Sequence, residues 1–561
     1  MFKKLHRISI AFTVTLLAAA PALAQRSDLH GGRHILLISI DGMHALDYKN
    51  CVSAHTCPNL AALGKTGVNY TRTSTSRPSD SFPGLMAIVT GGTPKTLGVW
   101  YDVGYDRVLA PPINTTSNGL LGGTCTPGQP NGARTEYEEG IDIDQTKLTG
   151  GSPLYTNPID GGVLSIDPTK LPRDPFHGCM PVYPWNFIRA NTIYGVIHKA
   201  GGYTAWADKH AAYAAVSGPT GTSTPSNVDD YYAPDINSDV VALPGITTVT
   251  GLNCATIPIS GAWMDGFDSV KCNDQLKVNA VLNWIHGKTH LGGSDGQVPA
   301  IFGMNFQAVS VGQKLIAGGV KGGYTDGAGT PTATMLAEIE YVDGAIGQMV
   351  ANLKSADLLD STVIIITAKH GQSPVDTNRF FPIPGHSGTN GTPPSKVLGL
   401  AYLPDSEINQ IGATEDDISL LWLRPGADTL SAVNLLETEG SNAGIGQIFY
   451  GSSLATTYDA PGLPPHGDPR TPDIIVQPNV GVIYTGSLKK QAEHGGFAQD
   501  DTNVMLLVSN PGIKARTVTT FVETTQVAPT ILSILGLDPN ALTAVRVEGT
   551  QVLPGFGQGP N

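Results

Sequence analysis

The chain has 561 residues and a formal net charge of −13. This acidic balance argues against a nucleic-acid duplex or an anionic membrane surface as the partner. Gly and Pro are plentiful, at 67 and 41 residues, whereas charged residues make up only 14%, and this composition predicts long ordered loops on a large core rather than disorder.

The first 24 residues have the pattern of a secretory signal peptide. Basic residues precede a short apolar run that ends in the small-residue sequence Ala22-Leu23-Ala24. Because the run is too short for a transmembrane helix, we expect cleavage after Ala24, no membrane insertion, and a secreted or periplasmic mature protein. All six cysteines follow this segment, and an even number in an oxidising compartment indicates disulfides. The sequence leaves the connectivity open, and we predict pairing of neighbours: Cys51–Cys57, Cys125–Cys179 and Cys254–Cys272.

The run HILLISI, His34 to Ile40, predicts the first strand of the fold. A continuous apolar run of this length is typical of a strand buried on both faces, as in a parallel sheet covered by helices. Asp41 then lies at the carboxyl end of that strand, where open α/β sheets carry their ligand sites. A turn aspartate before Gly42 explains the same pattern equally well.

A hydroxyl residue, Ser81, stands between a Pro-Ser-Asp turn and the apolar run Phe82 to Val89. This arrangement predicts a helix that begins at this point, with Ser81 as its cap. The free N–H groups and positive dipole end of a helix favour an anion, so Ser81 is a candidate nucleophile beside a bound oxyanion. Taken alone, the pattern fits an ordinary serine cap better.

Beyond this segment the chain alternates loops, strands and helices. Residues 107–180 are rich in Gly, Pro, Thr and Asn and predict a long inserted loop. We predict strands at 203–207, 300–306, 363–367 and 504–508, and helices at 191–199, 273–285, 338–354 and 524–535. Residues from about 382 to 486 predict an inserted subdomain. The alternation predicts an α/β layered fold with a mostly parallel sheet, formed by one large domain over residues 25–561.

Four residue types that suit a metal-assisted hydrolase follow strands or begin helices: Asp41, Ser81, His370 and His494. A carboxylate and two imidazoles can hold a zinc-like ion, which lowers the pKa of a hydroxyl and neutralises an oxyanion. Each residue is weak evidence by itself, because a single His-Gly pair is more often a turn than a ligand.

Several segments together carry a resemblance to a known family. They are ISIDGM at 38–43, SFPGLMAIVTGGTP at 81–94, EYVDGAIGQMVANLKSADLLDSTVIIITAKHG at 340–371, RTPDIIVQPNVGVIYTG at 470–486, AEHGGF at 492–497 and VAPTILSILGL at 527–537. In this order they resemble the alkaline phosphatase superfamily, nearest to its nucleotide pyrophosphatase/phosphodiesterase branch. The resemblance implies a layered α/β fold with a small capping subdomain. It also implies that Ser81 is transiently esterified, that Asp41 and His370 ligate one metal, and that His494 ligates a second.

The chain departs from the family pattern at several positions. Lys369 stands where the family has an aspartate, Val309 and Gln313 replace a second aspartate and a histidine, and Asp102 is the nearest counterpart of an oxyanion-binding asparagine. Three of six usual ligands therefore remain, and we expect at most one divalent ion, with zinc as the expected metal. Lys369, together with Lys209, would supply the remaining positive potential. Asp102 would either pair with Lys369 or act as a substitute ligand.

The sequence therefore favours an exported hydrolase that cleaves a small phosphate mono- or diester through Ser81. One alternative is a binding protein without activity on the same scaffold, because of the missing ligands. Another is a sulfatase or phosphonate-type esterase, since Lys209-His210 resembles the strand-end pair of sulfatases, although Leu85 stands where a sulfatase needs Arg. The sequence contains no signal for the oligomeric state.

Overall fold

A central sheet of eight strands organises the residues that the computed structural model describes, which are 32–156, 162–257, 261–385, 388–457 and 467–556. The predicted signal peptide, residues 1–24, lies outside these ranges. The strands of the central sheet are β1 (His34–Ile40), β2 (Gly67–Tyr70), β3 (Ala205–Ala207), β4 (Asp230–Tyr232), β5 (Ile301–Phe306), β6 (Thr362–Thr367), β7 (Leu507–Ser509) and β8 (Arg516–Val518).

The order across this sheet is β8-β2-β7-β6-β1-β5-β3-β4. All neighbouring pairs are parallel except those that involve β7, which runs antiparallel to β6 and β2. In the register of the two central pairs, Ile38 of β1 lies opposite Met304 of β5 and Ile366 of β6. The predicted α/β fold with a mostly parallel sheet is confirmed.

Helices cover both faces of the sheet. Successive residues of a strand point to opposite faces, so each buried strand contributes side chains to two apolar cores. Ile35 and Leu37 of β1 belong to one apolar core, whereas Leu36, Ile38 and Ile40 belong to the other. The α-helices of seven or more residues in the described ranges are α1 (Ala45–Ser53), α2 (Pro58–Gly64), α3 (Ser81–Thr90), α4 (Ile193–Lys199), α5 (Phe267–Ile285), α6 (Ala308–Lys314), α7 (Ala333–Ser355), α8 (Pro394–Tyr402), α9 (Thr429–Thr438) and α10 (Val527–Ile534). Helices α3, α4 and α10 contribute to the first core, and α1, α2, α5, α6 and α7 to the second.

Helix α7 begins at Ala333, five residues before its predicted start at residue 338. Two further boundaries predicted from sequence are also wrong. Helix α5 begins at Phe267, six residues before its predicted start at Asn273, which is buried inside the helix. The single strand predicted at 504–508 is divided between Asn503–Val504 and β7, which pair with different sheets. In both places tertiary packing overrides the local pattern.

Smaller elements surround this frame. A four-stranded antiparallel sheet of Thr414–Glu415, Ser419–Leu421, Ile474–Pro478 and Ile445–Tyr450 lies within the predicted 382–486 subdomain. The remaining short strands are Thr73–Ser74, Val103–Asp106, Ala133–Glu136, Arg173–Asp174, Met180–Pro181, Ile316–Ala317, Val320–Lys321, Phe381–Pro382, Val482–Ile483, Asn503–Val504 and Val522–Glu523. The short helices are Pro94–Leu97, Gln145–Thr149, Pro184–Phe187, Asp405–Ile408, Ser452–Thr457, Gln499–Thr502 and Thr543–Glu548. The predicted domain boundaries stay predictions.

The predicted disulfide pairing is confirmed. Cys51 bonds Cys57, Cys125 bonds Cys179, and Cys254 bonds Cys272. The second of these bonds closes much of the predicted 107–180 insertion. Within the described ranges, the helices all fall short of the length and apolar character that crossing a bilayer requires.

Candidate active site

Four neighbouring parallel strands end at one edge of the central sheet and deliver the polar residues found there. In spatial order these strands are β6, β1, β5 and β3. His370 follows β6, Asp41 follows β1, Gln307 follows β5 and Lys209 follows β3. Because parallel strands present their carboxyl ends at the same edge, segments that are hundreds of positions apart in sequence meet in one site.

Ser81 is the first residue of α3 rather than its cap, which corrects the prediction from sequence. Asp80 takes the cap position, where its Oδ2 accepts a hydrogen bond of 3.0 Å from the backbone N–H of Phe82. The Ser81 hydroxyl is thereby left for other contacts. Its Oγ lies 3.1 Å from Nε2 of His370 and 3.3 Å from Oδ2 of Asp41, and its one proton can be donated to either acceptor. Ser81 is fully buried.

His370 is oriented by its other ring nitrogen. Nδ1 lies 2.7 Å from the carbonyl oxygen of Gly371, and since a carbonyl only accepts, Nδ1 carries the proton. Nε2 therefore presents its lone pair to the Ser81 hydroxyl. Burial lowers the pKa of His370 to about 4, although the charge of Asp41 opposes the shift. The imidazole is neutral at neutral pH.

Asp41 is held by hydrogen bonds on one of its two oxygens. Oδ2 accepts from Nδ2 of Asn305 at 3.2 Å, from Nε2 of Gln307, and from Ser81. Oδ1 has no hydrogen-bond partner among the described residues. Asn305 lies in β5 and Gln307 directly follows it. The neighbouring strand therefore fixes the orientation of the Asp41 carboxylate.

Two ammonium groups accompany Asp41. The Nζ atoms of Lys209 and Lys369 each lie 3.9 Å from Asp41 Oδ2. Burial alone raises the pKa of Asp41, but Lys369, His370 and Lys209 together outweigh it and lower the pKa to about 2. Asp41 is therefore ionised, and buried lysines balance its charge.

The two lysines have different partners. Lys209 Nζ donates to Ser81 Oγ at 3.4 Å and contacts the carboxylate of Glu138. Lys369 Nζ donates to both carboxylate oxygens of Asp208, at 3.1 and 3.2 Å, and lies 3.7 Å from the ring centroid of Tyr213. Lys369 therefore pairs with Asp208. Pairing of Lys369 with Asp102, one of the two roles that the sequence allowed for Asp102, is not observed. Of the two lysines, Lys209 is the one that contacts the Ser81 hydroxyl.

Asp102 belongs to an acidic cluster with Asp80 and Glu138. One carboxylate oxygen of each lies within 4.8 Å of the others, and the backbone N–H of Asp102 donates to Asp80 Oδ2 at 3.1 Å. Burial, followed by the charge of Glu138, raises the pKa of Asp80 well above its usual range. His494 stands beside this cluster, with Nδ1 3.6 Å from Asp80 Oδ1, and its ring centroid lies 4.0 Å from that of His370.

A cleft of about 330 Å³ leads to these residues. Asp102, Glu138, Lys209 and His494 line it. Ser81 lies directly behind this lining, because Lys209 also contacts its hydroxyl. Three further lysines line the cleft, Lys314, Lys489 and Lys490. The cleft is therefore polar and carries charges of both signs.

The three residues expected to hold one ion do not fit a common metal position. Among the described residues, Asp41, His370 and His494 do not form a group whose ligand atoms all lie within 4.8 Å of one another, and the two ammonium groups 3.9 Å from Asp41 Oδ2 repel a cation. His370 turns Nε2 toward Ser81, whereas His494 Nδ1 faces Asp80. Zinc on these three residues stays a prediction that the side-chain contacts do not support, and we derive no step through it.

The positions of two missing family ligands serve the structure instead. Val309 is fully buried in the apolar core on α6. Gln313 Nε2 donates to the carbonyl oxygen of Gly42 at 2.7 Å and to Tyr324 Oη at 2.8 Å. Tyr324 Oη in turn donates to Asp47 Oδ1 at 2.8 Å. An apolar side chain and an amide therefore take the place that the family gives to ligands.

This buried network predicts a pH-dependent contribution of His44 to stability. His44 Nδ1 lies 2.8 Å from Asp47 Oδ2. Burial lowers the pKa of His44, but Asp47, with a smaller effect of Asp500, outweighs burial and raises it to about 9. Because the folded pKa exceeds the ordinary value of 6.5, the stabilisation is complete below about pH 6.5 and is lost as the pH rises through about 9. It amounts to about 3 kcal/mol.

We therefore expect His44→Gln to unfold at a lower temperature than the wild type at about pH 6, with a difference that shrinks above about pH 9. Thermal denaturation across this pH range measures the effect. His286→Gln is the control, since His286 bonds Asn352 at the surface and has no buried carboxylate partner in the described structure. A difference between wild type and His44→Gln that stays constant with pH would contradict the assignment.

Close backbone contact between α3 and the end of β6 gives a second prediction. A Cβ atom on Gly84 would lie 2.1 Å from the carbonyl oxygen of Lys369, so Gly84→Ala must push the helix that carries Ser81 away from His370. We expect the free energy of unfolding to fall by about 1–3 kcal/mol and ester turnover to fall with it. Chemical denaturation and steady-state kinetics measure the two effects.

Gly195→Ala is the matched control for Gly84→Ala. Gly195 is also helical, in α4, but an added Cβ there meets its nearest atom at 3.4 Å, an ordinary contact. Alanine has the higher helix propensity by up to about 1 kcal/mol, so this variant should be neutral or slightly stabilised. Equal effects of the two substitutions would show that the contact between Gly84 and Lys369 does not matter.

Sequence reasoning missed three residues of the site, Asp80, Glu138 and Asp208. Asp80 lies in the Pro-Ser-Asp turn, and its position directly before an apolar run could have identified it as the helix cap. Asp208 directly precedes Lys209 at the end of β3, where polar residues are as typical of a solvated turn as of a site. Glu138 lies in the 107–180 insertion and carries no motif, so only the folded structure brings it to the site.

Comparison with known proteins identifies a family model that covers most of the chain. The model is described as type I phosphodiesterase / nucleotide pyrophosphatase and matches residues 35–132 and 186–500. These ranges contain Asp41, Ser81, His370 and His494 and leave out Glu138. No curated protein sequence gives a significant match.

Solved structures of murine ectonucleotide pyrophosphatase / phosphodiesterase 5 are similar in fold. One has a TM-score of 0.50 at 13% sequence identity and covers 90% of this chain and 96% of that chain. An inactive variant of the same murine protein in complex with AMP has a TM-score of 0.50 at 14% identity, with the same coverage. At this low identity the likeness concerns the fold alone.

Proposed function

The chain belongs to the type I phosphodiesterase/nucleotide pyrophosphatase family of phosphoric ester hydrolases, and from this premise we propose that it cleaves phosphate mono- or diesters through a covalent intermediate on Ser81. The observation that carries the proposal is the contact set of one buried hydroxyl. Ser81 Oγ lies 3.1 Å from an imidazole nitrogen that can accept its proton and 3.4 Å from the Lys209 ammonium.

In the first step Ser81 Oγ attacks phosphorus and the bond from phosphorus to the leaving alcohol breaks. The serine proton passes to Nε2 of His370, which is already in hydrogen-bond reach. The leaving oxygen takes its proton from water in the cleft. Asp41, 3.8 Å from His370 Nε2, then stabilises the imidazolium ion that forms.

In the second step the hydroxide that the first step leaves in the cleft attacks phosphorus and the bond between phosphorus and Ser81 Oγ breaks. The proton held on His370 returns to the serine, and inorganic phosphate or a phosphate monoester leaves. The transition states of both steps carry negative charge on the phosphoryl oxygens. The Lys209 ammonium beside Ser81 is placed to stabilise that charge, and the charge of the more distant Lys369 adds to the positive potential.

The proposed substrate is a small phosphoester. A cleft of about 330 Å³ is at the lower end of the range for small-molecule sites. Lys209 supplies the positive charge beside Ser81, because the three additional lysines of the cleft pair with carboxylates. The AMP complex of the murine structural neighbour makes nucleoside phosphates reasonable members of a substrate panel.

We further propose that the mature protein acts outside the cytoplasm. Three disulfides persist in oxidising compartments, and the first 24 residues have the pattern of a cleaved signal peptide. Both features agree with an exported enzyme.

Turnover of three chromogenic esters by the purified, disulfide-bonded protein tests the proposed reaction. We expect cleavage of bis-p-nitrophenyl phosphate or p-nitrophenyl phosphate and little cleavage of p-nitrophenyl sulfate. Preference for the sulfate would favour a sulfatase, an alternative supported by the position of Lys209 beside Ser81. No cleavage of any ester by folded protein would favour a binding protein without activity.

A further inference from the structure

The position of the Lys209 ammonium depends on what holds it. Lysine ends in a point charge on a flexible four-carbon chain, so the end of β3 alone does not determine where Nζ lies. Nζ contacts the carboxylate of Glu138 directly, whereas Asp41 Oδ2 is 3.9 Å away. The side chains of Lys209 and Glu138 are only 5% and 3% exposed, and such burial strengthens the attraction between the two charges. Glu138 is therefore the main partner of the ammonium that donates to Ser81 Oγ.

Glu138 is itself fixed in place by the residue before it. Tyr137 is fully buried, and its backbone N–H donates to the carbonyl oxygen of Asp102 at 3.0 Å. Its ring centroid lies 6.1 Å from that of Phe82, which directly follows Ser81 in α3. The segment that carries Glu138 therefore packs against the helix that carries the candidate nucleophile.

This segment belongs to the 107–180 insertion and lies outside the ranges that the family model matches. The matched ranges end at residue 132 and resume at residue 186. The strand Ala133–Glu136 pairs with Val103–Asp106, and the bond between Cys125 and Cys179 closes the insertion. Glu138 is therefore a feature that this chain's own insertion adds to a site built mainly at the edge of the central sheet.

We propose that Glu138 is a positioning residue, which holds the Lys209 ammonium beside Ser81 so that its charge meets the phosphoryl oxygens. The inference rests on the proposed reaction at Ser81 and gives the insertion a part in it. Electrostatic stabilisation requires that a charge already lies where the transition state needs it. Without the Glu138 carboxylate, Nζ is expected to turn toward Asp41 and away from the serine.

Glu138→Gln separates positioning from substrate binding. Glutamine has the same size but no charge, and we expect kcat for both p-nitrophenyl phosphate esters to fall by about 10–100-fold. KM should stay the same or fall, because one negative charge leaves a site for an anionic substrate. Glu136→Gln is the matched control, since Glu136 is also buried in the insertion and burial raises its pKa to about 7. It should keep the wild-type kcat.

A double-mutant cycle shows whether Glu138 acts through Lys209. We expect Lys209→Met to lower kcat by about 10²–10³-fold. The variant that combines it with Glu138→Gln should be no slower, because no ammonium remains to be positioned. Equal losses of kcat from Glu138→Gln with and without Lys209 would overturn the proposal. A kcat of Glu138→Gln that equals the wild-type value would also overturn it.

A crystal structure of Glu138→Gln tests the same point without any turnover. We expect Lys209 Nζ to leave hydrogen-bond distance of Ser81 Oγ and to approach Asp41. An ammonium that stays on Ser81 Oγ in this variant would overturn the proposal, even if the esters are cleaved. If the folded wild type cleaves no ester, the proposed reaction fails, and this crystal structure alone decides whether Glu138 positions Lys209.

Discussion

Replacement of Ser81 by alanine is expected to lower kcat for phosphate ester hydrolysis by at least about 10⁴-fold. The hydroxyl is the group proposed to form the covalent bond to phosphorus, and its oxygen is in contact with both His370 and Lys209. Loss of one oxygen atom leaves the helix cap at Asp80 intact, so the protein should remain folded. Steady-state turnover of p-nitrophenyl phosphate and bis-p-nitrophenyl phosphate measures the effect, with thermal denaturation as the check on folding.

Ser76→Ala is the matched control for Ser81→Ala. Ser76 is also buried and lies in the same segment, but its hydroxyl donates to the carbonyl oxygen of Pro78. The Ser76→Ala variant should therefore keep most of the wild-type turnover. Substantial hydrolysis by folded Ser81→Ala would remove the nucleophile from the proposed reaction, whatever the cation content of the protein.

Replacement of His370 by glutamine is expected to lower kcat by about 10²–10⁴-fold with a smaller change in KM. Glutamine can donate a hydrogen bond to the serine, but it cannot accept a proton from it at neutral pH. The orientation of the native ring depends on Gly371, and this contact directs Nε2 toward the hydroxyl. Kinetics with both phosphate esters separate the effects on kcat and KM.

His286→Gln serves as the histidine control, because His286 contacts Asn352 away from the site and should keep wild-type kinetics. A kcat within about threefold of the wild type in folded His370→Gln would contradict the role of His370 as the proton acceptor. An increase in KM alone would assign it to substrate binding instead.

The central part of the fold could be predicted from sequence because its strands are buried on both faces. The runs HILLISI and VIIIT are apolar without interruption, and both became central strands, β1 and β6. The residues directly after such strands, Asp41 and His370, could be placed at one sheet edge by topology alone. The disulfides could be predicted because each cysteine bonds its neighbour in sequence order, which is the simplest of the possible connectivities.

The partners of these residues could not be predicted in the same way. The pairing of Lys369 with Asp208 depends on how the ends of β6 and β3 face each other across two intervening strands. Glu138 reaches Lys209 from an insertion without regular pattern. Serine favours the cap position of a helix, but aspartate does so as well, and only the hydrogen bond from Phe82 distinguishes Asp80 from Ser81 as the cap.

The most direct test of the central claim is to trap the covalent intermediate. Wild-type protein is mixed with p-nitrophenyl phosphate, stopped with acid during turnover, digested, and analysed by mass spectrometry for phosphorylated peptides. We expect phosphate on Ser81. The same peptide should carry no phosphate when substrate is omitted, and the corresponding peptide of the Ser81→Ala variant should carry none either. Continued turnover with Ser81 unmodified, or with phosphate on another residue, would contradict it.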